Sequence, residues 1–271
     1  MLNYTDAITA LMLDITRRVP ALSFIDLSQV LVFARFGRAG ADGPYATCHS
    51  LNLPTSDPGY YFWRDRDTGE VTRRSEWFVT KSPSVVVRGR PVNYLISFAL
   101  PRFCDQTLDR AHKRQRYGAR EGWLAKLDTV VHELYHIDPG ETGIRRLSRG
   151  DGAEAVRCHS PEFFEQVAHL VHAYLDSGPE DAVIDFLRPD FRKLRAMHGG
   201  VTATTFRQYP SYPQRYQEPL CTQPEAPEVA VVPFSRRPRQ RSFGDADLCV
   251  RVFTETSARR LTPTPGPPDP R

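Results

Sequence analysis

Residues 130–140 read VVHELYHIDPG, with two histidines four positions apart and a glutamate directly after the first. On an α-helix each residue advances about 100°, so His132 and His136 share one face, about 40° apart in projection and one turn apart along the axis. That spacing lets two imidazoles share one tetrahedral ion at about 2.0–2.1 Å. Glu133, about 100° round from His132, is not a ligand in this arrangement. It reaches toward the open coordination position, where a carboxylate can take a proton from water. Asp138-Pro139-Gly140 then stops the helix and lets the chain turn back.

A catalytic zinc site usually has three protein ligands and one open position, so a third ligand is required. The compact pattern H-E-x-x-H-x-x-G-x-x-H is absent, because Pro139 and Thr142 occupy its glycine and third-histidine positions. His159, in RCHSPEFFEQV, is the best remaining candidate. It stands just before the start of another helix, in a segment that has to fold back after the turn. Glu162 and Glu165 on that helix are the alternatives, each as a glutamate ligand from a second helix. His169 and His172 fall within an amphipathic run and read as one surface and one packed histidine. His49, His112 and His198 have no supporting context.

These residues need elements to hold them. Leu127, Val131 and Leu134 give the H-E-x-x-H helix an apolar face to bury. The next helix, Pro161 to Leu175, has Ser160 as N-cap, Pro161 at its first position and Glu162 in its first turn. Helix-forming sequence runs from about Asp105 to Ile137 with a break near Tyr117-Gly118, and Asp181 to Met197 reads as a helix kinked or split by Pro189. Ile8, Leu11, Ile15 and Val19 mark an amphipathic helix over 4–19. Between these lie strand candidates. SQVLVFARF (28–36) is expected to pair with ATCHSLNL (46–53), and 60–80 reads as a hairpin bending at Asp67-Thr68-Gly69. SVVVRG (84–89) and NYLISFAL (93–100) follow. The pattern predicts an α+β fold: a small, mostly antiparallel sheet packed on the H-E-x-x-H helix and its flanking helices.

Beyond residue 200 the texture changes. Twelve of the 23 prolines fall between Pro210 and Pro270. A stretch so poor in buriable surface is expected to be largely disordered, so the chain divides into a domain over 1–200 and a Pro/Arg-rich tail over 201–271. LCVRVF (248–253) is the expected exception, a short strand that docks back.

A chain of 271 residues with 40% hydrophobic and 25% charged content suits a globular protein. No apolar run is long enough to span a membrane, and the N-terminus carries Asp6 and Asp14 and lacks the basic leader and uninterrupted apolar core of a secretory signal. Five scattered cysteines without a C-x-x-C pair argue against a disulfide scaffold or zinc ribbon and for the cytoplasm. The net charge of +4 permits nucleic-acid contact without arguing for it. The basic runs AHKRQRYGAR (111–120) and SRRPRQRS (235–242) read as a solvated helix face and a nonspecific charge cluster.

HELYHIDPGETGIRRL followed by CHSPEFFEQV resembles the bacterial and phage-type metallopeptidases of the minigluzincin group. It is similar, more distantly, to the SprT-like proteases. The likeness spans roughly 22–188 and is specific only over 130–164. It implies a small sheet ahead of the H-E-x-x-H helix, His132, His136 and His159 as zinc ligands, Glu133 as general base, and a peptide or protein substrate. Two departures stand out: an inserted SRGDGAEAV between the second and third histidines, and the lack of the cysteine-rich ribbon that follows many SprT-like cores. The competing expectations are a zinc-stabilised binding or adaptor module without turnover, and a nucleic-acid-associated protease recruited by the tail. An oxyanion donor is expected from among Tyr117, Tyr135, Arg145 and Arg146, and an orienting carboxylate from among Asp138, Glu141 and Asp151.

Overall fold

The computed structural model describes residues 1–52, 59–108, 111–118, 121–140, 143–145, 159–208, 212–220, 228–233 and 242–261. Over the described residues it is a mixed α+β fold with six α-helices and several small, mostly antiparallel sheets. After a two-residue strand β1 (Leu2–Asn3), helix α1 (Tyr4–Arg18) buries Ile8, Leu11, Met12 and Ile15, the stripe its periodicity predicts. Strands β2 (Val30–Gly37), β3 (Ala46–Ser50), β4 (Phe62–Arg64), β5 (Val71–Ser75), β6 (Phe78–Lys81), β7 (Ser84–Val87), β8 (Arg90–Pro91) and β9 (Tyr94–Pro101) follow. Four helices follow: α2 (Ala111–Tyr117), α3 (Leu124–Tyr135), which carries H-E-x-x-H, α4 (Pro161–Asp176) and α5 (Asp181–Ile184). Helix α6 (Phe191–His198) begins at its own N-cap, Asp190, whose side chain accepts from the Lys193 N–H, so Pro189 splits this region into two helices. The hairpin of β4 and β5 turns where expected, with Asp65 accepting from the N–H groups of Asp67 and Thr68.

The sheet behind the H-E-x-x-H helix has the order β2-β9-β3. The expected direct pairing of SQVLVFARF with ATCHSLNL is replaced by insertion of β9 between them, parallel to β2 and antiparallel to β3. The reason lies in β9 itself, every residue of which is buried. Tyr94, Ile96, Phe98 and Leu100 face the main core, and Leu95 faces a second apolar cluster with Phe33, Val85, Val92 and Phe206. A strand apolar on both faces belongs at a sheet centre. Local turn signals between 37 and 46 cannot reveal a partner fifty residues away.

The expected tail requires correction. Strand β10 (Val201–Phe206) is almost wholly buried and lies between β1 and β14 (Leu248–Phe253), with β15 (Ala258–Arg260) beyond. Strands β11 (Tyr216–Pro219), β12 (Ala230–Val232) and β13 (Ser242–Phe243) pair with β6, β5 and β7. A boundary at residue 200 therefore cuts through paired strands. The proline count is a poor guide here because the strands are short and prolines can fall between them or at an end, as Pro219 does in β11. The expected docking of LCVRVF is what β14 does. The proline-rich end, 262–271, and most of SRRPRQRS lie outside the described residues.

Candidate metal centre

Helix α3 is buried along nearly its whole length. Leu127, Val130, Val131 and Leu134 fill the core, while each buried polar side chain has a partner. Lys126 donates to the Pro189 carbonyl at 2.7 Å. Lys113, from α2, lies 2.6 Å from Asp128 and donates to the Ala125 carbonyl and to Thr129 Oγ1 at 2.7 and 2.8 Å. The Tyr117 hydroxyl donates to Asp128 at 2.7 Å. Removing one member of so buried a pair strands the other. Lys113→Met is expected to cost about 3–5 kcal/mol, read by denaturant unfolding, with Lys113→Met/Asp128→Asn recovering part of it.

The helix ends at Tyr135. His136 caps it in helical conformation, with its N–H bonded to the His132 carbonyl at 3.2 Å. The chain then returns: Ile137 bridges Ile144, and the Arg145 N–H donates to the His136 carbonyl at 2.8 Å. Helix α4 brings up the third histidine. The Ser160 hydroxyl accepts from the Phe163 N–H and starts that helix one residue after His159. Ser160→Ala is expected to lower stability by about 1 kcal/mol, seen as a reduced melting temperature.

His132, His136 and His159 converge. Their Nε2 atoms lie 3.1 Å (132–136), 3.1 Å (132–159) and 3.0 Å (136–159) apart. For a tetrahedral ion with bonds of about 2.0–2.1 Å, ligand atoms sit about 3.3 Å from one another, close to what is found. Hydrogen bonding does not account for the triangle. Each neutral Nε2 is either a donor or an acceptor, so among three of them at least two are alike and face one another unfavourably. A shared cation satisfies all three lone pairs. The three histidines lie close enough to hold a metal ion.

Burial favours the ligating form. His136 is pushed down to about 3, first by burial and then by His159 and Arg145; burial also lowers His159. Both imidazoles are therefore neutral at neutral pH. Aromatic rings back the site: Phe163 lies 4.8 Å from the His136 ring, and Phe164 stacks on His159 at 5.7 Å. The outer Nδ1 of His136 is buried without an acceptor among the described residues. Packing against Phe163, rather than a carboxylate, holds that ring.

Glu133 is 4% exposed. Burial pushes its carboxyl up to about 8, opposed by the charges of Lys113 and Arg35 and by a bond from the Cys48 N–H of β3. A divalent cation beside it would draw it down again. Such a group can accept and return a proton near neutral pH. A cleft of about 430 Å³ opens over these residues, walled by Tyr45–His49, with Lys113, Ile144 and Phe164 also lining it.

The other candidates separate cleanly. Glu162 and Glu165 are exposed and outside the histidine cluster. His169 is exposed and His172 half-buried against Tyr117, as their pattern predicts. The Tyr117 hydroxyl is committed to Asp128. Arg145 donates to the Ile137 carbonyl and lies over the Tyr135 ring at 4.2 Å, a structural cap on the helix end. Asp138 accepts from the Gly140 N–H as a turn residue. His198 is exposed, while Arg146, Glu141, Asp151 and SRGDGAEAV lie outside the described residues. Sequence reasoning missed Lys113 and the Cys48 N–H. The first is hidden in a run that reads as a solvated basic face, and the second is a backbone group without a side-chain signal.

No family model, curated protein or solved structure matches this chain. Among the described residues no helix is long and apolar enough to cross a membrane.

Proposed function

We propose that the chain is a zinc-dependent metallopeptidase of minigluzincin type, with His132, His136 and His159 as zinc ligands and Glu133 as general base. The observation that carries this reading is three imidazoles converging beside a buried carboxylate at an open cleft. Three ligands and an accessible fourth position suit catalysis, whereas a structural zinc is closed by four protein ligands. That contrast favours an enzyme over an adaptor. Three histidine nitrogens in near-tetrahedral spacing suit zinc.

Zinc held there supplies Lewis acidity to a peptide carbonyl and makes water a stronger acid. Glu133 takes the proton from the attacking water at its carboxylate and delivers it to the departing amine. The Cys48 N–H keeps that carboxylate aimed at the cleft.

An extended peptide fits the wall. Strand β3 ends its sheet and pairs only with β9 among the described strands. The Leu51 N–H donates to Asn93 and the Tyr45 carbonyl accepts from Ala99, so odd-numbered residues turn their backbone groups toward β9. Ala46 and Cys48 turn theirs outward, the Cys48 N–H toward Glu133, which leaves the Ala46 N–H and the two carbonyls facing the edge. A substrate strand can bond there by edge addition. The test is cleavage of an unfolded protein by the purified full chain. Activity should vanish on chelation and return with one equivalent of zinc; stoichiometric zinc without cleavage of any unfolded substrate would point to the adaptor instead.

A further inference from the structure

The chain that returns after the H-E-x-x-H helix supports the metal centre from behind. Gly143 adopts a φ of 75°, the left-handed region that glycine enters without strain. Its N–H donates to the Asn52 carbonyl at 2.7 Å, just beyond β3, and its carbonyl accepts from the Tyr94 hydroxyl of β9 at 3.1 Å. Ile144 then bridges Ile137 and lines the cleft. Arg145 completes the return. Its N–H donates to the His136 carbonyl at 2.8 Å, and its guanidinium donates from Nε and Nη2 to the Ile137 carbonyl at 3.3 and 3.1 Å. The same guanidinium lies 4.2 Å from the Tyr135 ring and 5.6 Å from that of Phe24.

We propose that Arg145 is a positioning residue for the metal centre: it binds the carbonyls of His136 and Ile137, lies on Tyr135, and so fixes the backbone from which the second ligand projects. The proposal rests on the reading of His132, His136 and His159 as metal ligands, and not on hydrolysis. His136 has particular need of such support. It stands at the C-cap of α3, past the last helical residue, where carbonyls lack helical partners and helices fray. Its Nδ1 is buried without an acceptor among the described residues, so it lacks the outer hydrogen bond that commonly orients a metal-bound histidine. Backbone placement and packing on Phe163 are what remain to aim the ring. A planar fork that also stacks on an aromatic ring is a property of arginine that lysine does not share. Charge and position predict opposite signs. A guanidinium near a bound divalent cation repels it, so charge alone predicts that neutralising Arg145 tightens metal binding. Positioning predicts that it weakens.

The experiment measures the zinc affinity of the full chain by competition with a chromophoric chelator, for the parent, Arg145→Ala and Arg145→Lys, together with each melting temperature without metal. Arg145→Ala is expected to weaken zinc binding at least about tenfold, the low end of what loss of an outer-sphere partner costs. It should also shift the visible spectrum of the cobalt(II)-loaded chain, which reports ligand geometry. Arg145→Lys keeps the charge but neither the fork nor the stacking face, and should recover only part of the affinity. A purely structural arginine would lower the metal-free melting temperature and leave the affinity of the folded protein as it was. Unchanged or tighter zinc binding in Arg145→Ala, or in Arg145→Lys should the alanine variant not fold, would overturn the proposal. A parent chain that takes up no zinc would remove the metal centre itself, and the positioning role with it.

Discussion

Glu133→Gln is expected to keep one zinc per chain and to lose peptide hydrolysis by at least about 10²–10⁴-fold, the range that general acid–base catalysis contributes. The substitution changes little else. Glutamine has the same length, and its amide oxygen can still accept from the Cys48 N–H that reaches residue 133. Removing a buried carboxylate also relieves desolvation, so the variant should melt no lower than the parent. Unimpaired turnover would remove Glu133 from the mechanism. Loss of zinc together with activity would make it a metal-site residue of another kind. The informative pair of measurements is therefore elemental analysis and rate on the same sample.

His159→Ala should weaken zinc binding by more than the 10–100-fold or so that loss of an outer-sphere partner costs, because it deletes a ligand itself. His159 is exposed, unlike His136 at 6% exposure, so the metal-free variant should fold as well as the metal-free parent. The two states then separate the roles: a difference in melting temperature only when zinc is present identifies residue 159 as a ligand. Competition with a chromophoric chelator gives the affinity directly. Undiminished affinity would mean that the third ligand comes from elsewhere, and the triangle of Nε2 atoms would need another explanation.

The three histidines were legible because they sit in local patterns. Helical spacing joins His132 to His136, and the Ser160-Pro161 start announces the helix that delivers His159. The strands were legible as strands for the same reason. Their partners were not. That β9 separates β2 from β3 depends on a strand buried on both faces finding the sheet centre, a property of the assembled core. The C-terminal strands were concealed more deeply, since Val201–Phe206 borders a proline-rich region whose composition argues for disorder. Lys113 shows the remaining limit. Within AHKRQRYGAR nothing in the sequence marks Lys113 as the cation buried against Asp128.

The parallel pairing of Leu2 with Val201, in a layer completed by Leu248–Phe253, has a consequence for biosynthesis. A ribosome adding about 5–20 residues per second reaches the histidines well before it makes the final strands. Until then the first helix lacks its finished backing, although the three histidines are already made. Translation order thus sets the closing of this layer after the histidine-bearing helices have been made.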